Sequence, residues 1–166
     1  MPWRVKPDIA GAGHFFDLAS HQFDNLDFVF GRVTKVKGIA SNLGGLYAAE
    51  DTVSGTWMHE SGVIGSGSWS FIVDSGSETD EIEIIGEKGK ISLSGFASPG
   101  SIKVTTNEGI NETTMENPEH ISHNLVQQVV DQLRGVGTCV STGESAARTS
   151  WVLDKMVKNY YSSKDR

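Results

Sequence analysis

Asp17 and His21 stand four residues apart in the stretch Gly11-Ala12-Gly13-His14-Phe15-Phe16-Asp17-Leu18-Ala19-Ser20-His21-Gln22-Phe23-Asp24. On a helix that spacing puts both side chains on one face, close enough to act on a single ligand. An imidazole can take a proton from a hydroxyl near neutral pH, and a neighbouring carboxylate can orient the ring or bind an adjacent hydroxyl. The competing reading is a solvated polar face. Two features weigh against it: the strip is narrow, and it holds His and Asp where exposed helix surface usually carries Lys and Glu. His14 extends the pair into an i, i+3, i+7 row that one helix could offer a metal ion, as in a metal hydrolase. A metal site needs three or four ligands, and His59, His120 and His123 are too scattered to complete one, so no metal is expected.

These side chains need a helix to hold them. The pattern predicts one over His14–Phe30, closed by Gly31, with Phe15, Ala19, Phe23, Leu26 and Phe30 as its apolar stripe. His14, Asp17, His21 and Asn25 fall opposite, with Asp24 beside them. The first ten residues read as irregular because of Pro2 and Pro7. From Arg32 to about Asn117 the signal changes to strands: one begun by Val33, Val36 and Ile39, one over Thr52–His59, and one over Ser68–Val73. Asp80–Ile85 and Lys90–Ser94 flank Gly86-Glu87-Lys88-Gly89 as a hairpin, and a weaker pair surrounds Asn107-Glu108-Gly109. Helix returns over Ile121–Leu133, stopping at Arg134-Gly135. A last helix opens at Ser141-Thr142-Gly143-Glu144, which fits a capping box, and carries Ala146, Trp151, Leu153, Met156, Val157 and Tyr160. Short turns between strands imply antiparallel neighbours. The expected fold is α+β: one domain over 1–166, with a single, largely antiparallel open β-sheet and helices packed on one face.

Composition narrows the partners. With 14 basic and 21 acidic residues the net charge is −7, which argues against nucleic acid and against an anionic membrane surface. No apolar run reaches spanning length. Cys139 is the only cysteine, so no intrachain disulfide forms and a reducing, cytoplasmic location is expected. The 19 glycines read mostly as turn residues. Gly11-x-Gly13 before a helix is not a dinucleotide fingerprint, since a preceding buried strand and a third glycine are missing. Asn111-Glu112-Thr113 reads as a surface turn.

The residues Trp3-Arg4, Gly11-Ala12-Gly13-His14, Asp17-x-x-x-His21 and Asp24 resemble the start of the C-terminal domain of the Gfo/Idh/MocA (glucose-fructose oxidoreductase / inositol dehydrogenase-like) family. Glu60-Ser61-Gly62-Val63, Trp69-Ser70-Phe71, Ile84-Ile85-Gly86-Glu87-Lys88-Gly89, Ser141–Thr149 and Trp151-Val152-Leu153-Asp154 continue the likeness in order. Ala12 stands where the family usually has a middle glycine. The resemblance implies an NAD(P)-dependent oxidoreductase acting on a sugar, cyclitol or related polyol, in which this part binds substrate and makes the oligomer. It assigns acid/base work to His21, orientation or binding to Asp17, and substrate contacts to Arg4, Trp3 and His14. It also implies that NAD or NADP and the catalytic lysine of a Glu-Lys-Pro motif belong to an N-terminal Rossmann domain. Here the one Glu-Lys, Glu87-Lys88, precedes Gly89 in a hairpin turn, so the chain alone is expected to bind no cofactor and to be inactive. The alternative is a non-catalytic dimerisation or ligand-binding module in which the sheet makes a dimer, since the three helices cover all of Trp57, Trp69 and Phe71 only if packing is favourable.

Overall fold

The computed structural model of the protein describes residues 2–97 and 99–162. Its start is not irregular: a 3-10 turn at Trp3–Val5 leads into a short helix α1, Pro7–Ala10. Pro7 occupies the first helical position, where its missing N–H is not needed and its fixed φ suits the helix. Helix α2 then runs over His14–Phe30, as the pattern predicts, and Gly31 ends it at φ 80°. Phe15, Ala19 and Phe23 are buried along it, whereas Phe28 and Val29 remain exposed.

By its contacts the chain divides into two compact units, Met1–Asp74 with Ser141–Arg166, and Ser75–Val140. In the first unit β1 (Val33–Ser41), β2 (Thr52–His59) and β3 (Ile64–Ser70) form an antiparallel sheet in that order. In the second, β4 (Ile82–Gly86), β5 (Gly89–Leu93), β6 (Gly100–Thr106) and β7 (Gly109–Met115) form another meander. The expected single sheet is therefore two sheets among the described residues, although the α+β class stands. Asp74-Ser75-Gly76-Ser77-Glu78-Thr79-Asp80 is polar and broken by a 3-10 turn at Ser75–Ser77, so no ladder passes from β3 to β4. β3 also begins four residues before the expected strand. The turn after β2, closed by His59 N–H to the Val63 carbonyl at 2.8 Å, feeds straight into the Met58–Ile64 pair. Glu87-Lys88 makes the two-residue turn of the β4–β5 hairpin, whose last pair is Gly86–Gly89. Asn111-Glu112-Thr113 lies in exposed strand β7, not in a turn.

Helix α3 (His123–Leu133) closes near Gly135 at φ 72°, with Leu125, Val126, Val129 and Val130 exposed. Helix α4 (Gly143–Ser162) buries Ser145, Thr149, Val152, Leu153, Met156 and Val157. Ala146 and Trp151 face outward instead, because the buried row repeats at i, i+4, i+7, i+8 from Ser145. The cap of α4 sits one residue later than the expected box: Thr142 Oγ1 accepts the Ser145 N–H at 3.2 Å, and the Thr142 N–H donates to Ser145 Oγ at 2.9 Å.

Several glycines are close-packing positions rather than turns. Gly38, Gly55 and Gly67 are mutual partners across β1, β2 and β3, forming one row without side chains. Helix α4 lies in that groove; a Cβ on Gly38 would stand 2.4 Å from the Met156 carbonyl oxygen. The core is Phe15, Ala19 and Phe23 of α2, Val53 and Trp57 of β2, and Val152, Leu153, Met156 and Val157 of α4. Phe23 meets Trp57 edge-on at 4.9 Å and Phe15 meets Trp69 at 5.0 Å, so α2 covers two of the three aromatics whose cover was in question. Burying each such ring is worth about 1.5–3 kcal/mol. The opposite face of this sheet shows Lys37, Thr56 and Ser66 in one row and Ile39, Ser54 and Ser68 in the next.

Candidate functional site

Helix α2 carries the polar row. Its N-cap is Gly13, which has no side chain to satisfy the free N–H groups of the first turn. Glu50, fully buried, reaches the helix start from outside: both its carboxylate oxygens accept the N–H of Gly13 itself, at 3.0 and 3.1 Å. Tyr161 of α4 donates its hydroxyl to the same carboxylate. Burial, reinforced by that bond to Glu50, pushes the Tyr161 phenol far above its ordinary range, so it remains a donor. A Cβ on Gly13 would come within 2.6 Å of the Glu50 carbonyl oxygen, so only glycine lets α2 dock this close to the start of β2.

From this anchored end the row extends outward. Asp17 pairs with Arg4 (Nε to Oδ2, 2.8 Å), and both side chains are half-exposed. The Arg4 guanidinium also lies over the Trp3 ring, 4.8 Å from its centroid. The turn at Trp3–Val5 thus brings three of the expected site residues, Trp3, Arg4 and Asp17, together. His14, at the start of the same row, has its ring against other partners: it meets Tyr47 edge-on at 5.9 Å and Phe71 at 5.7 Å. His21 is exposed one turn beyond Asp17. Among the described residues no three His, Cys, Asp or Glu side chains assemble as a metal set, so the row His14, Asp17, His21 shares a face without converging.

Tyr47, Glu50 and Asp51 were not singled out by sequence reasoning. The only signal was an acidic pair directly before a strand. Asp51, also fully buried, accepts the N–H groups of Leu43 (2.9 Å) and Gly44 (2.8 Å) and shapes the loop between β1 and β2. Asn42 Nδ2 holds the carbonyls of Tyr47 and Ala49 in the same loop. The Tyr47 hydroxyl is buried with no hydrogen-bond partner among the described residues. Burial first, then the nearby Asp51 and Glu50 carboxylates, raise its pKa. Further along α2, Asp24 accepts the Ser141 hydroxyl at 3.3 Å, and buried Asp27 accepts two nitrogens of Arg148. His59 is structural: its Nδ1 binds the Gly31 carbonyl at 2.6 Å and its Nε2 accepts the Trp57 indole N–H.

A model of the GFO/IDH/MocA C-terminal domain matches residues 1–92, more than half of the chain. The chain belongs to the GFO/IDH/MocA C-terminal domain family. This GFO/IDH/MocA domain is also 32% identical over 152 residues to Oxidoreductase P35 of Formosa agariphila, covering 92% of the chain and 46% of that protein. Its fold matches that of aldose-aldose oxidoreductase from Caulobacter crescentus, solved with glycerol, at a TM-score of 0.77 and 13% identity, over 98% of this chain and 49% of that one. It also matches an oxidoreductase from Agrobacterium radiobacter, solved with NAD+, L-tartaric acid and magnesium, at 0.73 and 18%, over 89% and 46%. The domain thus spans about half the length of the proteins it matches.

Proposed function

We propose that the chain is the substrate-binding part of an NAD(P)-dependent oxidoreductase acting on a sugar, cyclitol or related polyol. The observation that carries this reading is the Asp17/His21 pair on one face of α2 in a domain of this family, with Arg4 drawn against Asp17. His21 takes the proton from the reacting hydroxyl on oxidation and returns it on reduction. Asp17, held by Arg4, accepts a neighbouring hydroxyl and fixes its direction. Trp3 offers an exposed ring, stiffened by the guanidinium above it, against which the apolar face of a sugar ring can lie. His14 borders the same strip.

The hydride acceptor is a nicotinamide held outside these residues, by a Rossmann domain of a longer protein. The Agrobacterium relative holds NAD+, and the Caulobacter relative is an aldose oxidoreductase, which supports both the cofactor and the substrate class. A second copy is proposed to dock on the uncovered face of β1–β3, where Ile39 and Ile64 are exposed among Ser and Thr.

The test is His21→Ala in the full-length enzyme, assayed on myo-inositol, D-glucose and D-xylose with NAD and NADP. The kcat should fall by about 10²–10⁴. A variant with undiminished kcat, or a wild type inactive on all three, overturns the reading.

A further inference from the structure

We propose that Glu50 is a positioning residue for the Asp17/His21 face, acting from outside the helix through the Gly13 N–H and held in turn by Tyr161. The reaction it would serve is the one proposed above. A helix that needs only a cap takes it locally, from Ser, Thr, Asp or Asn at the N-cap. Here that position is Gly13, and its own N–H is held by a residue 37 positions away. The arrangement is costly. A fully buried carboxylate loses its hydration, and its partners among the described residues are a backbone N–H and a phenol, without a cation. The return is geometric: with no side chain at Gly13, the helix start rests directly on the Glu50 carbonyl and the Ala49 methyl.

Three independent elements are fixed by this one carboxylate. The start of α2 is fixed through Gly13, the start of β2 through Glu50 itself, and the end of α4 through Tyr161. Asp17 lies one turn from the anchored N–H, about 6 Å along the axis, and His21 two turns away, about 12 Å. Arg4, the ion-pair partner of Asp17, is half-exposed and can follow Asp17 if the helix shifts. The rigid reference for the polar row is therefore Glu50. A displacement of 1 Å at a catalytic group can cost a hundredfold in rate, so a partial loss of this anchor should register in turnover before it registers in substrate binding.

Glu50→Gln, with Tyr161→Phe as a milder variant that keeps the carboxylate, tests this in the full-length protein by hydrogen exchange and kinetics together. Amides of residues 17–20 should exchange about 10-fold faster in Glu50→Gln, while those of β2 stay within twofold of wild type. The kcat on the best substrate of the panel above should drop about 10-fold with KM changed less than threefold; Tyr161→Phe should show the same pattern at about threefold. Uniformly faster exchange across α2 and β2 would make Glu50 a general stabiliser and overturn the inference. Local loosening with unchanged kcat would overturn it too. Loss of activity in His21→Ala but not in the Glu50 variant marks this inference as wrong and leaves the proposed function standing; full activity in His21→Ala removes the proposed function and the positioning role with it.

Discussion

Asp27 and Arg148 show how the role of a single residue can depend on a partner 121 positions away. Asp27 sits on the apolar stripe of α2 and is buried, and Arg148 meets it with Nε at 3.1 Å and Nη2 at 2.6 Å from Oδ2. The hydrogen bond to Asp27 raises the already high pKa of Arg148, so the guanidinium stays charged beside it. Arg148→Ala leaves a buried carboxylate without its cation. Breaking a fully buried pair costs about 3–5 kcal/mol; Arg148 is half-exposed, so about 2 kcal/mol is expected. Urea unfolding checks this, and a midpoint equal to wild type would count against the pair as a stabiliser. Arg148 belongs to the stretch Ser141–Thr149 that resembles the family, and the structure explains its presence by helix packing rather than chemistry. Asp17 and His21 were legible because their spacing is local. Glu50 was not, because a carboxylate's value as an anchor depends on a backbone group far away in the chain.

At the scale of elements, periodicity located most helices and strands, since burial of one face imposes it. The bounds of α2 and β2 were read correctly. β3 was placed too late because Gly65 and Gly67 hide its alternation: the Trp57 ring lies over Gly65 and the Trp69 ring over Gly67, filling the space their side chains would take. The row Gly38, Gly55, Gly67 has the same origin, and it yields a direct test. Gly38→Ala would force α4 away from β1, since the obstructing atoms are backbone; a loss of about 2–3 kcal/mol is expected. Gly86→Ala, with nothing within 4 Å of its Cβ, should change stability by less than about 0.5 kcal/mol. Thermal melts of the two variants compare them, and equal melting temperatures would refute the packing role of the glycine row.

For the whole molecule, the two proposals that reach beyond the chain meet in one sample. The 166-residue chain should show no saturable change in NADH fluorescence, and native mass measurement should return a dimer. Saturable NADH binding would refute the assignment of the cofactor to another domain, and a strictly monomeric mass would refute the open face as an interface. By itself the sequence determined the α+β class, the helix that carries Asp17 and His21, and the likeness to its family, because each rests on short-range periodicity or on residues in fixed order. Tertiary structure alone decided that the strands form two sheets, that Trp57 and Trp69 lie beneath α2, and that the start of this helix is held by Glu50 and Tyr161. Those outcomes depend on which distant surfaces exclude water together and which buried polar groups find each other, and neither is written in the spacing along the chain.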